Sequence, residues 1–278
     1  MVKFHLNRIY WLIFLIIGVL ITSNCKIDIP GLFISTDLNI RLEERDNFRF
    51  LNDSDRTRSF GDEYSFIVLV DIHIENENSR DLEKLEDVIK DSGDEIKFVV
   101  IVGDISQYGA AQDIQKFIDI ANSLDVPCYP AIGNHDIYFN NWPVWKEKIG
   151  STRYRVDGGG TTLLILDSAN TFFGKDQLDW LQSELDNTQG NVFVFSHVNL
   201  FAEYPSDVQH FTDTRERARV ISILRDKCDA MFMGHIHKRT INEAGNVRYI
   251  SIEDYRSHRT YCLVSVKKTG IDYQFKKL

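Results

Sequence analysis

The chain has few cysteines, and their arrangement restricts the kind of protein it can be. Four cysteines occur in 278 residues, and no two of them form a C-x-x-C pair. If Cys25 is set apart for the reason given below, the three that remain cannot all pair within one chain. A disulfide framework is therefore not indicated. Cys128, in the apolar stretch VPCYPAI, is expected to be a core residue.

Basic charge is also scarce. The chain has 32 lysines and arginines against 41 acidic residues, which gives a formal net charge of −9. Such a surface repels polyanions, and no arginine-rich arm offsets it, so we expect no nucleic-acid partner. The apolar content of 43% is nevertheless that of a globular protein with a substantial core.

No apolar run is long enough to cross a bilayer as a helix, which takes about 20 residues. The run over residues 9–21 has thirteen and follows a basic start, so residues 1–24 are predicted to be a secretory signal peptide. Cys25 stands where a bacterial lipoprotein is cut and acylated, and the preceding stretch resembles a lipoprotein signal, although Asn24 replaces the usual small residue. An ordinary signal peptide or an uncleaved anchor are the alternatives.

If Cys25 carries lipid, we expect an exported protein of the bacterial cell envelope, either membrane-anchored or periplasmic. Residues 25–60 are then interpreted as a lipidated tether and N-terminal extension. Within it, TDLNIRL alternates polar and apolar residues, which predicts a half-buried strand. Residues 61–278 are predicted to form the catalytic domain.

From Tyr64 onward, short apolar runs alternate with segments of helical periodicity. SFIVLV, KFVVIV and VPCYPAI predict buried strands, and residues 81–92 and 112–124 between them place apolar side chains on one helical face. This order predicts an α/β core with largely parallel neighbouring strands. The second half has five more strand-like runs and two clear helices, near 175–187 and 213–226. It predicts a second sheet of more antiparallel character.

The apolar runs end in residues that are suited to chemistry. Directly after five of them come Asp71-Ile72-His73, Gly103-Asp104, Gly133-Asn134-His135-Asp136, His197 and Gly234-His235-Ile236-His237. Taken singly, each has an ordinary explanation, such as a turn residue or a core histidine. Together they hold five of the eight histidines, at the strand ends where α/β proteins bind ligands. Because imidazole is the commonest nitrogen ligand, the conjunction predicts a metal site.

These residues, in this order and spacing, closely resemble the calcineurin-like metallophosphoesterase family, whose pattern is D-x-H, G-D, G-N-H-[DE], H and G-H-x-H. The resemblance covers roughly residues 65–240. It implies an α/β fold of two mixed β-sheets packed as a sandwich and flanked by helices. It also implies a metal-dependent phosphoric ester hydrolase. The body of the chain is most similar to the bacterial branch related to cyclic-nucleotide and other phosphodiesterases.

The resemblance implies two divalent metal ions, and mixed nitrogen and oxygen ligands suit Mn, Fe, Zn or Co. Two cations about 3.5–4 Å apart repel each other, so a carboxylate between them is the natural bridge. The implied ligands are Asp71, His73 and His237 for one ion, Asn134, His197 and His235 for the other, and Asp104 shared between them.

His135 is the motif histidine that has no metal, and the family places it near the leaving-group oxygen as a proton donor or charge stabiliser. Asp136 is expected to orient His135 and to favour its protonated form. The resemblance implies that a metal-bridging hydroxide attacks phosphorus and displaces the leaving group in line.

The favoured interpretation is an exported enzyme that hydrolyses a phosphodiester or pyrophosphate bond in a small phosphoester substrate. A phosphomonoesterase with the same site is the nearest alternative. A non-catalytic scaffold of this fold is another, but the complete set of ligands argues against it. No role is assigned to His210 or to the stretch Glu253–His258, where a surface position is expected.

Overall fold

The computed structural model describes residues 36–75, 82–91, 95–201 and 213–277. The predicted signal peptide, the lipidation site Cys25 and His210 lie outside these ranges. Within the described residues, no helix has both the length and the apolar character needed to cross a membrane.

Two mixed β-sheets form the centre of the molecule. The first has five strands, which in spatial order are Gly270–Lys277 (β11), Thr260–Lys267 (β10), Tyr64–Leu69 (β1), Ile96–Val102 (β2) and Cys128–Ala131 (β3). The second has six, in the order Tyr154–Asp157 (β4), Thr161–Ile165 (β5), Asn191–Phe195 (β6), Ala230–Met233 (β7), Val247–Ser251 (β9) and Thr240–Ala244 (β8). The predicted pair of mixed sheets is confirmed.

Helices flank the two sheets. In chain order they are Leu38–Leu42 (α1), Asp53–Arg56 (α2), Leu85–Asp91 (α3), Ala111–Ser123 (α4), Trp142–Lys148 (α5), Lys175–Asp186 (α6), Thr214–Leu224 (α7) and Tyr255–His258 (α8), with short 3-10 segments at Leu82–Lys84 and His135–Asn140. Both long helices predicted in the second half are present as α6 and α7. The start of α7 is fixed by Asp213, whose carboxylate accepts hydrogen bonds from the first turn at 2.8 and 3.1 Å.

Three apolar layers hold these elements together. The inner faces of the two sheets meet in a core rich in aromatic residues, where the Phe66 and Phe193 rings lie 5.0 Å apart, edge to face. A second layer lies between the first sheet and α3, α4 and α5. A third lies between the second sheet and α6 and α7. This layered packing fixes the edge at which the strands β1, β2, β3, β6 and β7 end.

The prediction that the second sheet is the more antiparallel one is wrong. Its four central strands, β5, β6, β7 and β9, are parallel, and only its edge strands β4 and β8 run antiparallel. The antiparallel strands of the C-terminal region join the first sheet instead, where β10 pairs with β1 and β11. The physical reason is burial. Seven of the eight residues of β10 are buried, which suits a position between two other strands.

The prediction of a strand at TDLNIRL is also wrong, because this segment forms α1. Leu38, Arg41 and Leu42 lie on one helical face and are buried, and the Asp37 side chain caps the helix at the Asn39 amide, 2.7 Å away. The guanidinium of Arg41 makes two hydrogen bonds, of 2.7 and 2.8 Å, to the buried carboxylate of Asp167.

The extended tether predicted over residues 25–60 therefore needs correction from residue 36 onward. Residues 36–60 pack on the domain and supply Leu51 and Phe60 to the core between the sheets. Removing either partner of the Arg41–Asp167 pair would leave a buried charge without a partner, at a cost of about 3–5 kcal/mol. This segment is therefore part of the folded unit.

Candidate metal centre

The candidate centre lies at the carboxyl ends of strands from both sheets. Beyond β1 and β2 the parallel pairing continues into the loops, since the amide of His73 donates to the Asp104 carbonyl oxygen at 2.8 Å. The loops after β3, β6 and β7 reach the same place. The structure thus brings together seven predicted ligands that are up to 166 positions apart in the sequence: Asp71, His73, Asp104, Asn134, His197, His235 and His237.

One group of ligands, which we call the inner half-site, consists of Asn134, His197 and His235. The Asn134 Oδ1 atom lies 3.0 Å from His197 Nε2 and 3.0 Å from His235 Nδ1. On the other side of its ring, His197 Nδ1 donates to the Val102 carbonyl oxygen at 3.0 Å. This bond directs the lone pair of Nε2 into the site, as a ligand histidine requires.

The second group, the outer half-site, consists of Asp71, His73 and His237. The Nε2 atoms of His73 and His237 lie 3.4 Å apart, and Asp71 Oδ1 is 3.6 Å from His237 Nε2. Asp104 lies between the groups, because its Oδ2 is 3.2 Å from His197 Nε2 and 3.7 Å from His73 Nε2. Its position suits the bridging role that the resemblance implies.

The residues present fit two divalent cations. Asp71 Oδ1 is fully buried and has no hydrogen-bond partner among the described residues. A buried carboxylate oxygen without a partner is unfavourable unless a cation satisfies it. Each half-site offers imidazole nitrogen together with carboxylate or amide oxygen, within one small volume. That donor set suits a borderline transition-metal ion.

The charges in the centre are arranged around a cation. Burial acts to raise the pKa of Asp104, but the neighbouring histidines, His197 first, hold it well below its usual range. Burial acts to lower the pKa of His197, yet Asp104 and Asp71 raise it to about 10. In the metal-free chain, protons on imidazole therefore offset the carboxylates. Metal binding is expected to displace them.

The backbone at the ligands is unusual. Five of them have left-handed φ values: Asp71 (52°), His73 (46°), Asp104 (50°), His235 (71°) and His237 (53°). Non-glycine residues rarely adopt this region, at a cost of about 1–3 kcal/mol each. Strain of this kind persists where the surrounding fold imposes a geometry, and here that geometry directs the ligands into the centre.

Gly103, which precedes the bridging aspartate, is required by close packing. Its φ is 80°, and a Cβ built on it would lie 2.4 Å from His197 Nδ1. No larger residue fits between the bridging carboxylate and the inner half-site. The glycine of the G-D motif therefore allows the two sheets to approach each other at the site.

His135 lies beside the bridging aspartate without belonging to either half-site. Its Nε2 is 3.8 Å from Asp104 Oδ2, its ring packs edge to face on His73, and its side chain is 15% exposed. Its Nδ1 lies 2.8 Å from the carbonyl oxygen of Gln107, to which it donates. This arrangement directs Nε2 toward the space in front of the metals.

The predicted effect of Asp136 on His135 stays a prediction, and the structure shows a different set of contacts for its carboxylate. The carboxylate of Asp136 accepts hydrogen bonds from the amides of Ser106 and Gly133, at 2.8 and 2.9 Å, while the Gln107 carbonyl oxygen accepts one from His135. Burial, and next the charge of Asp104, raise the pKa of Asp136 to about 7. Asp136 is thus a positioning residue that joins the loops after β2 and β3.

Two residues that contact the predicted ligands were not identified in the sequence analysis. Asp254, at the start of α8, is buried, and its Oδ1 lies 3.9 Å from His237 Nδ1 and 2.6 Å from His258 Nδ1. Tyr138 is buried, and its hydroxyl accepts a hydrogen bond from the Asn134 amide at 2.7 Å, which directs Oδ1 of that amide toward the metals. Neither residue is part of a motif, and only the tertiary fold reveals its contact.

Known proteins resemble this chain in sequence. A family model described as calcineurin-like phosphoesterase matches residues 64–239. A probable cyclic nucleotide phosphodiesterase of Fibrobacter succinogenes is 29% identical over 122 residues, which are 40% of this chain and 46% of that protein. The match thus spans less than half of that relative's length.

Solved structures resemble the chain in fold. A dimetal phosphatase from Danio rerio has a TM-score of 0.60 at 14% identity, over 76% of this chain and 98% of that one. A purple acid phosphatase from yellow lupin has a TM-score of 0.61 at 13% identity, over 77% of this chain and 51% of that one. A protein described as the anchor in the inner membrane complex of Plasmodium has a TM-score of 0.58 at 12% identity, over 78% and 85%.

Proposed function

The chain belongs to the calcineurin-like phosphoesterase family, a family of metal-dependent hydrolases, and on that premise we propose that it hydrolyses a phosphodiester or pyrophosphate bond. The single observation that carries the proposal is the complete pair of half-sites around Asp104. Seven nitrogen and oxygen ligands are more than one ion of four to six coordination needs from protein.

The residues of the centre have different proposed roles in the reaction. Two divalent ions, when bound, supply Lewis acidity and a water of lowered pKa. The inner and outer half-sites would each hold one ion, and the two ions together would bind the phosphoryl group. His135 in its imidazolium form would donate the Nε2 proton to the leaving-group oxygen and become a neutral imidazole, while Nδ1–H stays bonded to Gln107. Asp136 keeps the loop of His135 against the loop of Asp104.

A non-catalytic scaffold is less well supported. The likeness to an anchor protein of Plasmodium concerns the fold alone, and a fold does not decide between catalysis and scaffolding. A scaffold would have no reason to keep buried, strained ligands, with an oxygen of Asp71 that finds no hydrogen-bond partner in the part of the chain that the structure describes. Such features are costly for folding and are retained where they serve a site.

We further propose that the enzyme is exported and held at the bacterial envelope by lipid on Cys25. The basic start, the apolar run over residues 9–21 and the following cysteine support this proposal. An enzyme in that compartment would act on substrates outside the inner membrane rather than on the cytoplasmic pool of cyclic nucleotides. The substrate class would then be a nucleotide, a phospholipid head group or an envelope phosphodiester.

The test is a panel of diesters, pyrophosphates and monoesters, assayed with Mn, Fe, Zn and Co separately. We expect diesters or pyrophosphates to be hydrolysed with the highest kcat/KM, and Asp104→Ala to abolish the rate. A preference for monoesters would replace the proposed function with that of a phosphatase. Absence of hydrolysis with every metal, in protein that binds two ions per chain, would overturn the proposal.

A further inference from the structure

Large apolar side chains that are exposed to solvent are concentrated on one part of the described surface. Among the described residues there are five such side chains, and four of them form this concentration: Ile40, Tyr108, Phe139, Phe172 and Ile241 are the five. The first four, which we call the apolar rim, lie on segments that contact one another near the metal centre. Ile241 lies apart, on the far edge strand β8.

Contacts between the loops connect the apolar rim to His135. The Tyr108 and Phe139 rings have centroids 6.1 Å apart. The Tyr108 carbonyl oxygen accepts a hydrogen bond from the Asn141 amide at 2.9 Å. Tyr108 also follows Gln107, the residue that fixes His135. This pair of aromatic residues therefore lies beside the opening of the site.

The segment at which the described chain begins connects the rest of the rim. The Thr36 hydroxyl donates to Asn140 Oδ1 at 3.4 Å, next to Phe139. Two residues later, the Leu38 side chain packs against Gly174, in the turn that carries Phe172. A Cβ atom added to Gly174 would lie 3.2 Å from Leu38 Cδ2. Helix α1, which presents Ile40 to solvent, thus lies between the two turns.

Two of the turns that carry rim residues contain left-handed backbone. Phe139 is 54% exposed and has a φ of 54°, and Thr171, next to Phe172, has a φ of 64°. A bulky residue at positive φ is strained, and an exposed ring gains no burial in return. A second surface that covers the ring would bury its apolar area and so offset the strain of the backbone.

We propose that the apolar rim rests in the interface of a lipid bilayer, so that the opening of the metal centre faces the membrane. The place where the described chain begins, at residue 36, indicates that the surface covering the rim is a membrane. Cys25, the proposed lipid attachment site, lies eleven positions before Thr36, the first residue of the segment that carries Ile40. A segment that enters or anchors in lipid brings the adjoining surface to it, and amphipathic rings such as tyrosine suit the interface. The inference rests on the proposed membrane attachment.

The experiment uses the full chain reconstituted in phosphatidylcholine vesicles whose acyl chains are brominated. Tryptophan is introduced separately by Ile40→Trp, Phe139→Trp and Ile241→Trp on a Trp11→Phe background. That background keeps Trp142, Trp145 and Trp180, so its own quenching is measured and subtracted from that of each variant. Ile40 and Ile241 are both 53% exposed, so Ile241→Trp is a matched control. Side chains that lie about 5–10 Å into the interface come within reach of bromine.

We expect quenching of Ile40→Trp and Phe139→Trp to be about twofold or more above that of Ile241→Trp, because only the rim enters the interface. Equal quenching at all three positions, or none, would overturn the proposal. Quenching of Phe139→Trp by a soluble nucleotide but not by lipid would also overturn it and would assign the rings to substrate. A chain that does not sediment with the vesicles would overturn this inference together with the proposed attachment. Sedimentation without selective quenching would overturn this inference alone.

Discussion

The inner and outer half-sites share one bridging carboxylate but differ in how firmly their ligands are held. In the inner half-site, His197 is fully buried and its outward nitrogen donates to the Val102 carbonyl oxygen, while Tyr138 fixes the Asn134 amide. In the outer half-site, the buried His73 Nδ1 has no hydrogen-bond partner among the described residues. The side chain of His237 is 40% exposed.

This difference indicates how one site can treat two similar ions differently. Hydrogen bonds to the outward side of a ligand fix its tautomer and orientation, and their loss typically lowers metal affinity by about 10–100-fold. We therefore expect the inner half-site to hold its ion firmly and the outer half-site to exchange its ion with solvent.

Asp104→Ala should remove the element common to both half-sites. Without the bridge, two cations repel each other across the site, so the chain should bind fewer than two ions and lose about 10³-fold or more in rate. Elemental analysis of wild-type protein saturated with metal should give two ions per chain. Asp176→Ala, a change in the first turn of α6, is the control and should leave both ions bound. Two ions retained in Asp104→Ala would contradict the model of a bridged centre.

His135→Ala should reduce the rate without affecting either half-site. It should keep both ions and lose about 10²–10⁴-fold with a poor leaving group, because proton donation is then required. With nitrophenolate as the leaving group, which needs little protonation, the loss should be smaller. Metal content and the two rates are measured on the same preparation. Equal losses on both substrates would argue against a role at the leaving group.

His237→Ala and His197→Ala should show which half-site releases its ion rapidly and which releases it slowly. A chelator added to the wild type should remove one ion rapidly and one slowly, since the outer half-site is expected to bind about 10–100-fold more weakly. His237→Ala should abolish the rapid phase. His197→Ala should remove the slow one. A single phase in the wild type, with both ions leaving together, would show that the half-sites do not differ.

Asp254→Asn should produce the smallest effect and should affect the outer half-site alone. Asparagine still caps α8, so the fold is expected to be retained, while the charge facing His237 Nδ1 is lost. The affinity for the rapidly exchanging ion should fall by about 10-fold, and that of the slow ion should not change. Affinities are measured by competition with a chromophoric chelator. A matched loss at both ions would assign Asp254 a general structural role.

The linear pattern predicted the long helices and eight of the eleven strands of the described chain, because each depends on local order. It did not predict the edge strands β4, β8 and β11, which are partly exposed and have no continuous apolar run. A run such as KFVVIV followed by Gly103-Asp104 predicts both a buried strand and a carboxylate at its end. The pattern failed at TDLNIRL, where alternation suggested a strand. There the partner of Arg41 is Asp167, 126 positions away, and no local signal reports it.

The order of residues along the chain was enough to predict the candidate ligands, which are two aspartates, one asparagine and four histidines placed after apolar strands, because a strand ends where its apolar residues end. How these residues are arranged depends on the packed fold. The left-handed backbone at five ligands, the bond from His135 to Gln107 and the difference between the half-sites depend on loops from two sheets meeting at one edge. Contacts between residues that are distant in the chain carry no local periodicity, so they become visible only when the sheets are packed.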